Sequence, residues 1–263
     1  MRAINAVRLL LFFLIITLHQ TSDQVMASEQ KISPLTQEKI EVFNKKSIQS
    51  KIYAPLFFHA IALNAYRMIV HFLRNGFCLE TRSPFWFDQT PLHHALDYGN
   101  EQTALFLIKH RAPLHLKDRR GNTPLHLAAR RGFLKTCTLL VETNGDVDER
   151  DEFGYTPLHE AVEQGQVEVA HLLLMAQADV NTQTCNGDTA LHLALVSYAH
   201  NPSNQLLKKK LKKVIKLLGQ HKPDLTKQEI YNRWNVFNLL NNLELPNNEH
   251  KKLLALLNEI KES

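Results

Sequence analysis

The 263 residues are 44% hydrophobic and 22% charged, with only 9 glycines and 10 prolines, a balance that excludes a fibrous or wholly disordered protein. The longest apolar run is confined to the extreme N-terminus, which excludes a multi-span helical membrane protein. The formal charge of +5 is local: Lys208, Lys209, Lys210, Lys212, Lys213 and Lys216 outweigh it by themselves, so the sum implies no chain-wide attraction to polyanions.

In chain order, residues 1–27 have the three parts of a secretory signal peptide. Arg2 and Arg8 supply the positive start, Leu9 to Leu18 the apolar stretch, and Val25-Met26-Ala27 a small-residue cleavage site before Ser28. As a helix that stretch is about 15 Å long, half of a hydrocarbon core of roughly 30 Å, which favours a cleaved signal over an uncleaved anchor. Export is the expectation, to the periplasm or the medium if the source is bacterial. Cys78, Cys137 and Cys185 lie far apart and cannot all pair, so no structural disulfide is expected. Cys137 falls at an apolar helix position and Cys185 in a turn.

Residues 28–53 read as a capping helix, opened by Ser33-Pro34-Leu35-Thr36 and carrying Ile40, Val42 and Phe43. From Ala54-Pro55-Leu56-Phe57 a repeating pattern begins, degenerate at first and then regular. Thr90-Pro91-Leu92-His93, Thr123-Pro124-Leu125-His126, Thr156-Pro157-Leu158-His159 and Thr189-Ala190-Leu191-His192 start 33 residues apart. Each reads as a helix start: the threonine caps an orphan N–H, and proline at the first helical position loses nothing by lacking its own. Gly99, Gly132 and Gly165, nine residues on, read as helix ends. More apolar second helices follow, as in Thr103–Ile108, Thr136–Val141 and Val169–Leu174, and then turn-forming runs such as Asp118-Arg119-Arg120-Gly121 and Asp151-Glu152-Phe153-Gly154.

The Thr-Pro-Leu-His-x-Ala pattern at this period closely resembles the ankyrin-repeat family. The resemblance implies an all-α solenoid of helix-turn-helix units, with projecting finger turns and additional capping helices. It covers residues 54–226 as about five repeats, the first divergent and the fifth carrying an insertion around His200-Asn201-Pro202. Residues 227–263 then form C-terminal capping helices, expected over Gln228–Leu243 and Glu249–Ile260. It also implies that His126, His159 and His192 hydrogen-bond locally to tie repeats together, with His93 in the same place.

No sequence feature marks a catalytic centre, a cofactor or a metal. Nucleotide-binding glycine loops, zinc-protease motifs and nucleophile elbows are all missing. The repeated histidines sit a full repeat apart, whereas zinc needs its ligands at about 2.0–2.1 Å. A non-enzymatic protein-binding module is therefore expected. By analogy with the family its variable positions lie at finger tips and on first helices: Tyr98; Arg119, Arg120, Asn122, Arg130 and Arg131; Phe153 and Tyr155. Trp86 joins them from the lengthened Ser83–Phe87 loop. Arginines among aromatics suit an acidic protein partner; the alternative is that they solvate the face and pair with Glu149, Asp151 or Glu152. A competing reading puts the lysine-rich helix 206–218, through Lys208, Lys209, Lys210, Lys212, Lys213 and Lys216, on anionic lipid or nucleic acid. It requires the apolar face of that helix, Leu207, Leu211, Val214 and Leu218, to be free.

Overall fold

The computed structural model describes residues 47–83, 85–143, 146–228 and 235–262. The signal segment, the Ser33–Leu35 helix start with Ile40, Val42 and Phe43, and Gly145 of one turn lie outside these residues. Among the described residues are twelve α-helices and no strand. The chain divides into two units, Met1–Ala60 with Ala65–Cys78, and Ile61–Asn64 with Leu79–Ser263.

The first unit holds α1 (Ser47–Ala62) as far as Ala60, and α2 (Tyr66–Arg74). Its core is aromatic: the Phe57 ring lies 4.1 Å from Phe77 and 5.4 Å from Phe72, centroid to centroid. Ala54-Pro55, read from sequence as a helix start, lies inside α1 instead. The reason is chemical. Alanine has no side-chain oxygen to cap an orphan N–H, so nothing halts the helix there, and Pro55 is carried at the expense of one backbone hydrogen bond.

The second unit stacks helix pairs. An inner row runs α3 (Pro91–Asp97), α5 (Pro124–Arg131), α7 (Pro157–Glu163) and α9 (Ala190–His200). The outer row runs α4 (Glu101–Lys109), α6 (Leu134–Glu142), α8 (Val167–Met175) and α10 (Gln205–Gln220). Each inner helix packs on its neighbours in the row, and each outer helix does the same. Between the rows the core is small and apolar: Leu92, Ala95, Leu96, Ala128, Leu158, Ala161 and Ala194 meet Ala104, Leu107, Cys137, Leu140, Ala170 and Leu173, all buried. No pair could cover this surface alone, and stacking removes it from water.

Two further helices close the stack. α11 (Val236–Asn242) packs on α9, and α12 (Asn247–Glu262) on α10, so the last pair follows the same inner and outer rows. The helix expected over Gln228–Leu243 is described only from Val236, where the Asn235 carboxamide accepts from the N–H groups of Phe237 and Asn238. That side-chain cap fixes the start at a residue read from sequence as mid-helix.

Candidate recognition surface

Each inner helix opens on the same threonine–histidine pair. Thr90, Thr123, Thr156 and Thr189 hold extended backbone as N-caps, and their N–H groups donate to Nδ1 of His93, His126, His159 and His192 at 3.0–3.4 Å. On the other side of the ring, Nε2 of His93, His126 and His159 lies 3.0–3.1 Å from the carbonyls of Asn122, Tyr155 and Thr182. A carbonyl only accepts, so Nε2 carries the proton and Nδ1 is the acceptor. These three rings are thus neutral and use both nitrogens to join one repeat to the following finger. Burial pushes the pKa of His93 and of His159 down to about 4, and that of His126 down as well.

The fingers are built at the same period. Asp118 Oδ1 accepts from the N–H groups of Arg120 and Asn122, both at 2.9 Å; Asp151 Oδ1 accepts from Phe153 and Tyr155 at 2.9 and 2.8 Å; the Thr184 hydroxyl accepts from Asn186 and Asp188 at 3.2 Å. Consecutive fingers then bond backbone to backbone. The N–H of Arg119 donates to Phe87 O at 2.7 Å, that of Glu152 to Arg120 O at 2.9 Å, and that of Cys185 to Phe153 O at 2.8 Å. Gly121 and Gly154 allow this approach: both have positive φ, and a Cβ would stand 2.8 Å from Glu152 N and 2.7 Å from Cys185 N. The tips therefore form one continuous edge.

The side chains on this edge separate into two groups. Arg119 and Arg120 are exposed, and so are Phe153 (59%) and Phe87; Tyr98 is exposed too, but at the C-terminal end of α3 and not on a finger. The Arg120 guanidinium sits 3.9 Å above the Phe87 ring, and Arg119 makes no ion pair among the described residues. The other expected contact residues are committed to the scaffold. Asn122 is buried, with its amide on the Asp118 carboxylate, because the finger needs its N–H and carbonyl for closure. Arg130 forms a two-pronged pair with Glu160, whose side chain is only 5% exposed. Arg131 reaches the carbonyl and carboxylate of Asp97 in the preceding repeat. These partners differ from the acids expected by proximity in sequence.

Among the aromatic residues, Trp86 packs its ring 4.9 Å from His94, and Tyr155 is half-buried near His159. Burial, with Glu163 and Asp188 nearby, pushes the Tyr155 hydroxyl up to about 12. The exposed members of the lengthened loop are Phe85, at 71%, and Phe87. The sequence singled out Trp86 over both, and ring size alone gives no signal of which way a side chain turns.

The lysine helix is also reassigned. Leu211, Val214, Ile215 and Leu218 of α10 are fully buried, so the apolar face needed for membrane insertion is occupied. Lys208 is 5% exposed, 2.7 Å from Glu249 and 4.9 Å from the Tyr198 ring, which Lys212 also approaches. Lys208 is therefore a buried tie to α12 and faces no anionic surface. Lys209, Lys213 and Lys216 remain exposed. Among the described residues no helix is long and apolar enough to cross a membrane.

Comparison with known proteins agrees with this architecture. A family model describing ankyrin repeats matches in three overlapping copies, at residues 56–151, 111–184 and 144–228. No protein of curated function matches the sequence. Among solved structures, the crystal structure of an ankyrin repeat domain from Acinetobacter baumannii AYE superposes with a TM-score of 0.65 at 21% identity, covering 80% of this chain and 98% of that one.

Proposed function

Because the chain belongs to the ankyrin-repeat family, whose repeats generally serve as protein–protein interaction modules, we propose that it is a non-catalytic recognition module that binds a protein through its finger edge. The observation that carries this reading is the row of exposed Phe87, Arg119, Arg120 and Phe153 on fingers locked to one another by backbone hydrogen bonds. Arginine and aromatic side chains are the types that dominate interface energetics, and a prefixed backbone reduces the ordering cost of binding. An acidic partner surface suits Arg119 and Arg120, since a guanidinium fork matches a carboxylate.

The test is capture by wild type beside a variant carrying Arg119→Glu, Arg120→Glu and Phe153→Ala, both checked for equal helicity. Arg130 and Arg131 stay untouched, because changing them perturbs the scaffold. A partner lost by the folded variant supports the finger edge; one retained in full removes it.

The proposal includes export through residues 1–27, to the periplasm or the medium if the source is bacterial. It rests on Arg2, Arg8 and the Leu9–Leu18 stretch. N-terminal sequencing of the exported chain should begin at Ser28.

A further inference from the structure

The outer row carries a second surface, remote from the finger chemistry. Across α6, α8 and α10 runs a groove of about 690 Å³, within the range of about 300–1,000 Å³ usual for binding clefts. Its apolar lining comes from Leu134, Val167, Leu172, Met175 and Leu217, with Met175 65% and Leu134 41% exposed. Lys213 and Lys216 stand on the α10 wall, three residues apart on one helix face, and neither makes an ion pair among the described residues. Glu168 stands on the facing α8 wall.

We propose that this groove takes an amphipathic helix from a partner protein, its apolar stripe on the leucines and its acidic edge toward Lys213 and Lys216. Two features of the site select this occupant. The apolar lining is open along a cleft between helices, which suits side chains spaced at i, i+3 and i+7. The charge is unequal across the cleft, two lysines on α10 against Glu168 and His171 on α8, so it favours carboxylates on the α10 edge of the helix. A bilayer fits less well than a helix with one acidic edge, because the Glu168 carboxylate on the α8 wall would meet the anionic headgroups.

The experiment uses the full chain and a pair of fluorescein-labelled helical peptides of about 15 residues. They share one leucine stripe and differ only in an edge of glutamates or of lysines. Expected is saturable binding of the acidic-edge peptide, weakened by added salt, and about tenfold weaker binding to the Lys213→Glu/Lys216→Glu variant. That variant should prefer the lysine-edged peptide, and Met175→Glu should weaken both. All three positions are exposed; Lys213→Gln/Lys216→Gln, with a smaller loss, serves if reversal lowers helicity. Arg119→Glu should leave the affinity unchanged, separating this groove from the finger edge. Absence of saturable binding, or equal affinity for both peptides in wild type and variant, overturns the proposal. Lysine-dependent binding to phosphatidylglycerol vesicles without peptide binding also overturns it, in favour of a membrane.

Discussion

Replacing His159 with glutamine should flatten the pH dependence of stability. The ring is buried, its Nε2–H donates to Thr182 O and its Nδ1 accepts from Thr156 N–H, so neither nitrogen can take a proton without losing a bond. Burial holds the folded pKa of His159, and likewise of His93, at about 4 against 6.5 when exposed. Above pH 6.5 both rings are neutral in the folded and unfolded chains, and their full contribution to stability is present. As the pH falls below 6.5 the unfolded chain gains protons that the folded chain refuses until about pH 4, so stability is lost across that window. Between pH 7.5 and 5 the loss is about 2 kcal/mol per ring, or about 4 kcal/mol for the pair. His126 acts in the same direction. Asp148, Asp151 and Glu163, raised by burial, act in the opposite direction as they protonate, and comparing wild type with the His159→Gln variant cancels their common contribution. Urea titrations followed by circular dichroism at a series of pH values measure the slope. The His159→Gln variant should lose about 2 kcal/mol of the pH-dependent change, whatever its absolute stability. An identical slope in wild type and variant would refute the reasoning.

Arg130→Ala should cost about 3–5 kcal/mol, at the lower end because Arg130 is a third exposed, since it strands the buried Glu160 carboxylate; Arg130→Met with Glu160→Leu should cost far less, by denaturant midpoint. Gly154→Ala should destabilise by at least about 1 kcal/mol, from its positive φ, with more added by the approach of Cβ to Cys185 N; a thermal melt at wild-type temperature would contradict this. Cys185, exposed at a finger, should react promptly with a thiol reagent in the native chain. Cys137 should wait for denaturation, since burial removes access and pushes its thiol up to about 12.

The repeat framework was legible because one chemical device recurs. A hydroxyl and a ring nitrogen at fixed spacing, with a proline between them in three of the four copies, leave the backbone few ways to start, and Thr90, Thr123, Thr156 and Thr189 are all N-caps as read. The divergent end was less legible for the converse reason: Ala54-Pro55 imitates the pattern without the capping oxygen. The surface was the hardest part. Arg119 and Arg130 look alike in sequence, yet one sits at a tip and the other clamps Glu160 thirty residues away. Nothing local distinguishes them, because partner choice depends on which repeat stacks next. The turns opened by Asp118 and Asp151 were legible as turns, and the role of Asp118, Asp151 and Thr184 as their acceptors follows from the recurrence at 33 residues, with the finger N–H groups two and four positions on.

Helix length also changes along the outer row. The outer helices α6 and α8 have 9 residues each, whereas α10 and α12 have 16, which makes them about 14 Å and about 24 Å long. Internal junctions between α4, α6 and α8 join members of one length, so duplication of a 33-residue unit there would reproduce a seam that already exists. At α10 the length changes, so that it is about 10 Å longer than the α8 it packs on. α12 matches it turn for turn, with Leu253 and Leu257 buried. The outer row is therefore not uniform: its middle is built of interchangeable seams, and α10 and α12 are a matched pair of another length.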